Sequence, residues 1–179
     1  KNSGYLYFSM GLSMFVSLYS TRLILNALGS SDFGIFCIIG GAIGMLGFLN
    51  AAMSTTTQRF INYAEGEGKL QKQKSIFTVS ISIHFLLSLL MVVIFEIAYF
   101  FFFNGILNIP SDRIHSAKWI YQLMLLSTVL TIQTVPYNAI INAHENMRYL
   151  SIIGVFQTLT KLIIALIVVH IYIDKLILY

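Results

Sequence analysis

Apolar residues fall in five blocks along the chain, at about Tyr5–Leu25, Gly34–Phe60, Ile76–Phe103, Ala117–Ala143 and Leu150–Ile173. Each is long enough to cross the hydrocarbon core of a bilayer, about 30 Å thick and spanned by around 20 helical residues. The third and fifth blocks mostly lack the polar face that a soluble helix turns to water. The pattern therefore predicts an all-α, polytopic membrane protein with five transmembrane helices. Turn chemistry agrees with these boundaries. Gly29 suits the end of the first helix, Ser31 and Asp32 can cap the second, and Pro110-Ser-Asp112 marks a break before the fourth. Pro136, inside the fourth block, removes one backbone hydrogen bond and predicts a kink there.

Composition sharpens this picture. Hydrophobic residues make up 57% of the chain and charged residues 10%, against roughly 25% charged in an ordinary soluble domain. The first block is too long for the apolar region of a signal peptide and lacks a small-residue cleavage site after it. Cys37 is the lone cysteine, which leaves no disulfide framework and no thiol-metal site. The formal net charge of +4 is more informative by position than as a total. Lys69, Lys72 and Lys74 lie between the second and third blocks, and Arg148 between the fourth and fifth. With Lys1 they make five basic residues on one side, against Arg113, Lys118 and Lys175 on the other. The positive-inside bias then puts the N-terminus and the lysine loop in the cytoplasm. Basic patches for nucleic acid are not needed to explain the charge. The chain reads as one domain without repeats or linkers. It opens without Met and stops in "IDKLILY", which predicts a partial domain entering a sixth span.

The second block poses a question of length. Ile35–Leu49 would make only about 22 Å of helix at about 1.5 Å per residue, so the helix is expected to continue through Asn50 to about Arg59. Gly40, Gly44, Gly47 and Ala51 share one face of such a helix and would let a neighbour approach closely. Ser54 and Gln58 continue that face, with Asn50 and Thr57 beside it. Polar groups at membrane depth face a protein interior or a wet cavity, because lipid cannot satisfy them. In the fourth block Ser127, Thr131, Thr134, Asn138 and Asn142 form a longer stripe of the same kind. For any single Ser or Thr an interhelical hydrogen bond, worth about 0.6 kcal/mol, is the plainer reading; a five-residue stripe ending in two asparagines predicts a cavity wall. Ser9, Ser13, Ser17 and Ser20 in the first block suit close packing.

Among ionisable residues, Lys161 lies near the middle of the fifth block, on the face of Gly154, Thr158 and Ala165, too deep to snorkel easily. Such a residue is a functional-site candidate by default. Arg22 and Arg59 lie near the ends of their blocks, where snorkelling and helix-dipole interactions compete with function. Glu96 and His84, on the otherwise apolar third block, are candidates for carrying protons. No cluster has metal-ligand spacing, and there is no Gly-rich phosphate loop or nucleophile elbow. No enzyme, metal or cofactor is expected.

Four segments, "STRLILNALGSSDFGIFCIIGG", "FLNAAMSTTTQRFINYAEGEG", "LNIPSDRIHSAKWIYQ" and "VPYNAIINAHENM", resemble the N-terminal part of bacterial polysaccharide flippases. These are the Wzx-type O-antigen transporters of the multidrug/oligosaccharidyl-lipid/polysaccharide superfamily, and the resemblance runs in order over nearly all of the chain. It implies a MATE-like, two-lobe transporter of the bacterial inner membrane, with residues 1–179 forming most of the first six-helix lobe and the second lobe absent. The implied activity is flipping of undecaprenyl-diphosphate-linked glycan units by alternating access, for O-antigen or capsular and exopolysaccharide synthesis. The implied partners are the bilayer, that lipid-linked glycan, and the polysaccharide polymerase and chain-length machinery. Arg22, Arg59 and Lys161 would offset the diphosphate charge, and the Asn and Thr groups of the second and fourth spans would suit sugar hydroxyls. Two alternatives stay open. A multidrug exporter of the same superfamily would need cavity acids, and the spans offer Glu96 against three bases. A membrane enzyme acting on lipid-linked glycans would need a larger loop than the roughly dozen residues found here.

Overall fold

A computed structural model describes residues 2–45, 47–107, 109–170 and 176, which are almost entirely helix and turn. Five α-helices follow one another: α1 (Asn2–Gly44), α2 (Gly47–Gly66), α3 (Leu70–Phe101), α4 (Ile114–Ala143) and α5 (Met147–His170), with a π-type turn at Phe102–Ile106 after α3. Four stretches are long and apolar enough to cross a membrane: Tyr7–Gly44, Leu70–Gly105, Ile114–Ala143 and Met147–His170. By helix length and hydropathy the chain is a multi-pass membrane protein. On α3 the side chains of Leu86, Leu89, Val93 and Ile97 stand exposed, as lipid-facing groups do. Residues 171–173, Lys1 and Lys175, which entered the span and charge assignments, lie outside the described residues, as does most of "IDKLILY".

Five expected spans thus become four candidate ones, and the difference lies in the second block. The break expected at Gly29 is present, with φ 78° and ψ 169° interrupting the helical backbone of α1. Positive φ is open to glycine and costly for other residues, so the position of the break is dictated by that residue. The helix that resumes ends at Gly44, and α2 starts at Gly47, so the continuous helix expected from Gly34 to Phe60 is not formed. Gly40, Gly41, Gly44 and Gly47 crowd this stretch, each costing a helix about 1 kcal/mol relative to Ala. The small-residue stripe is divided as a result. A Cβ on Gly40 would touch the Met124 side chain of α4 at 3.5 Å, whereas Gly44 and Gly47 have nothing within 4 Å. α2 is too polar to count among the candidate spans.

The lysine loop is shorter than the sequence suggests. α2 runs on to Gly66 and α3 begins at Leu70, so Lys72 and Lys74 stand on the first turns of α3. Gly68, at φ 67°, makes the reversal possible, and the Gly68 and Lys69 N–H groups donate to the carbonyls of Glu65 and Ala64 at 2.9 and 3.1 Å. α4 is a single helix through the buried Pro136. Asn146 opens α5, its Oδ1 accepting the Tyr149 N–H at 3.4 Å.

The chain divides into two compact units, one made of 1–39, 109–120 and 146–179, the other of 40–108 and 121–145. In the first, Ile24, Ala165 and Val168 form a buried cluster against which Ala27, Leu28 and Phe33 pack. The Ser13 and Thr158 hydroxyls meet at 2.8 Å and Ser9 and Ser20 are buried, so these three serines of α1 pack, whereas Ser17 is exposed. Arg113 Nε lies 3.3 Å from the carboxylate of Asp32, which is 7% exposed. In the second unit, Tyr121 of α4 is fully buried among Phe95, Tyr99, Phe102 and Phe103, and its hydroxyl donates to the Phe95 carbonyl at 2.7 Å.

Candidate functional site

The sequence-predicted residues divide between the two units. Arg22 and Lys161 belong to the first, and both side chains are exposed. Lys161 follows the register of Thr158 and Ala165, which are buried, yet its own side chain stands free of that packing face. In the second unit Asn50, Ser54 and Gln58 of α2 are half-buried, Thr57 is buried and Arg59 is exposed. Glu96 on α3 is exposed and His84 is buried.

On α4, Ser127, Thr131, Thr134 and Asn138 are exposed and Asn142 is half-buried, whereas Ile132, Val135 and Ala139 on the other side are buried. The exposed side of the helix is therefore mixed: the polar stripe runs beside Leu126, Leu130 and Tyr137, which are exposed as well. Two of those hydroxyls are already committed: Thr131 donates to the Ser127 carbonyl at 2.9 Å and Thr134 to the Thr131 carbonyl at 2.7 Å. The Asn138 carboxamide has no hydrogen-bond partner among the described residues.

Sequence reasoning missed a second polar feature, on the helix it took to be apolar. Ser80, His84 and Ser88 step by four along α3 and all three are buried. They link three helices. The Thr57 and Ser80 hydroxyls meet at 3.1 Å, and Gln133 Nε2 of α4 donates to Ser88 Oγ at 2.8 Å and to the His84 carbonyl at 3.4 Å. His84 Nδ1 lies 2.7 Å from the Ser80 carbonyl, which can only accept, so Nδ1 carries the proton. His84 Nε2 is buried without a hydrogen-bond partner among the described residues. The i, i+4, i+8 spacing was the available signal, hidden by the strongly apolar residues between.

Beside this spine, α2 and α3 enclose a cleft of about 380 Å³, walled by Met53 and Phe60 from α2, by Ile76, Val79 and Ile83 from α3, and by Thr56, Thr57, Ser75, Ser80 and His84. At the helical turn beyond it, Lys72 Nζ lies 4.8 Å from the centre of the Tyr63 ring. Glu67 bonds Lys72 at 3.0 Å and Lys69 at 3.1 Å. Lys72 first, then Lys69 and Tyr63, hold the Glu67 carboxyl below the usual carboxylate range.

Comparison with protein-family models, with curated proteins and with solved structures gives no match. What the chain can be assigned to is a class, helical multi-pass membrane proteins.

Proposed function

We propose that the chain forms part of the first lobe of a MATE-like, two-lobe flippase. It moves undecaprenyl-diphosphate-linked glycan units across the bacterial inner membrane by alternating access, for O-antigen or other surface polysaccharide synthesis. The lysine turn and N-terminus are cytoplasmic, and the polymerase and chain-length machinery act on what the flippase delivers. The observation that carries this proposal is the outward polar stripe of α4, set against its buried apolar face. In lipid the unpaired Asn138 carboxamide of that stripe is unfavourable, whereas on a wet cavity wall it binds hydroxylated solutes. The exposed cations Arg22, Arg59 and Lys161 suit an anionic headgroup, and Glu96, the one exposed acid on the candidate spans, suits a cationic drug poorly.

The test is lipid-linked glycan export by the complete gene product in cells lacking the native gene. Asn138→Leu and Lys161→Ala should each lower export about tenfold or more, the size of one lost hydrogen bond of about 1.4 kcal/mol, while folded protein stays at its normal level. Lys161→Arg should retain part of the activity, because the charge persists with a different geometry. Unchanged export in both Asn138→Leu and Lys161→Ala would remove the proposal.

A further inference from the structure

The α2–α3 hairpin carries a lipid-shaped feature that does not depend on what the protein transports. Its cleft opens sideways: Phe60, Val79 and Ile83 line it and are each about half exposed, at 57%, 53% and 46%. Most hydroxyls of its wall are committed within the protein. Thr56 donates to the Ala52 carbonyl at 2.8 Å, Thr57 and Ser80 bond each other, and His84 Nδ1 is bound to the Ser80 carbonyl. The one uncommitted acceptor at the deep end, His84 Nε2, is closed off from the accessible surface. Apart from the exposed Ser75 hydroxyl at the lysine end, a sugar or other hydrogen-bonding solute would find little to bond there, and the deeper wall presents hydrocarbon.

Length and charge narrow the occupant. From Ser75 to His84 the α3 wall runs about 14 Å at about 1.5 Å per residue, close to half of a bilayer core about 30 Å thick. It is one leaflet deep. It begins directly after Lys74, with no Asp, Glu, Lys or Arg between Lys74 and Glu96. Above its mouth stand Lys69 and Lys72, 63% and 43% exposed, now bonded to the Glu67 carboxylate.

We infer that this cleft is a binding site for an anionic phospholipid of the leaflet facing the lysine turn. One acyl chain lies along Met53, Phe60, Val79 and Ile83, and the phosphate sits at Lys69 and Lys72. The Glu67 carboxylate occupies the phosphate position when no lipid is bound, so it competes with the headgroup.

The complete protein, purified in detergent and returned to phosphatidylcholine nanodiscs, is photolabelled with phosphatidylglycerol carrying a diazirine midway along one acyl chain. A phosphatidylcholine probe with the same chain serves as reference. Labels should concentrate on Met53, Phe60, Val79 and Ile83, and the anionic probe should exceed the neutral one about fivefold per engaged lysine. Lys69→Gln combined with Lys72→Gln should remove that preference without touching the packed helices. Glu67→Gln should raise it, which a merely structural carboxylate would not do. Val79→Trp should abolish cleft labelling in the monodisperse fraction while leaving labels at Leu86 and Leu89. Equal labelling by the two probes, a preference that the lysine variants leave intact, or cleft labelling that survives Val79→Trp would each overturn the assignment.

Discussion

Replacing His84 by leucine should leave the protein as stable as before or make it more so. His84 is 1% exposed and makes one good side-chain hydrogen bond, from Nδ1 to the Ser80 carbonyl at 2.7 Å. Losing such a bond costs about 0.5–1.5 kcal/mol net, whereas an unsatisfied buried acceptor costs about 1–3 kcal/mol. Nε2 is such an acceptor, and leucine removes both groups at similar volume. The balance runs from neutral to about 2 kcal/mol of added stability. His84→Ala removes the same two groups but leaves a void, so it should lose about 2–4 kcal/mol. Unfolding equilibria in mixed micelles, read by steric trapping, measure both. A loss beyond about 1 kcal/mol in His84→Leu would refute the reasoning, because it would mean that Nε2 has a partner worth more than its desolvation. If His84 also carries protons during transport, the same variant will be stable and inactive. Stability and export thereby separate the structural and functional roles of one side chain.

Two further outcomes follow from the polar contacts. Arg113→Ala should destabilise the protein by about 1–2 kcal/mol, between an exposed and a fully buried ion pair, because Asp32 is 7% exposed and Arg113 38%; adding Asp32→Asn should recover most of the loss in the same unfolding assay. Glu67 should titrate below the usual carboxylate range by carbon-detected NMR, since Lys72, Lys69 and Tyr63 favour its charged form. A lowered folded-state pKa means that its contribution is present at neutral pH and fades as pH falls through that value. Glu67→Gln should therefore flatten the acid limb of the stability profile.

Helical identity was legible because it rests on block length and composition, which tertiary contacts do not alter. The break at Gly29 was legible too, since a single glycine followed by Ser-Ser-Asp suits few other conformations. The second block was misjudged because apolar length was weighed and glycine density was not. Four glycines between Gly40 and Gly47 weaken the helix enough to end it, and no span-length argument contains that cost. The buried Ser80-His84-Ser88 row was overlooked for a different reason. A helix surrounded by lipid is apolar on most of its circumference, so its one polar seam is a minority of residues that averages conceal. Gln133, which reaches that seam from α4, lies off the stripe of Thr131 and Thr134, and only the helix packing assigns it to α3.

The two polar rows do opposite things, and one side chain separates them most clearly. Ser80, His84 and Ser88 are turned inward and tied to α2 and α4, so they hold the unit together and ask nothing of its surroundings. The α4 stripe is turned outward. Its threonines are poor witnesses, because Thr131 and Thr134 satisfy their hydroxyls on their own helix and could face lipid at little cost. Asn138 cannot. Its carboxamide brings two donors and an acceptor, none bonded among the described residues, and leaving such a group unpaired in hydrocarbon costs about 2–7 kcal/mol. It must meet water, a polar solute or another polypeptide. In a Cys37→Ala background, needed because Cys37 is exposed, Asn138→Cys should react with a small hydrophilic thiol reagent, and Leu86→Cys, on the apolar face of α3, should not. A soluble glycan or a headgroup analogue should slow the reaction at 138 if that water lies in a substrate cavity. Equal, negligible reactivity at both positions would make the stripe a lipid or protein contact and would leave the flippase proposal without its principal support.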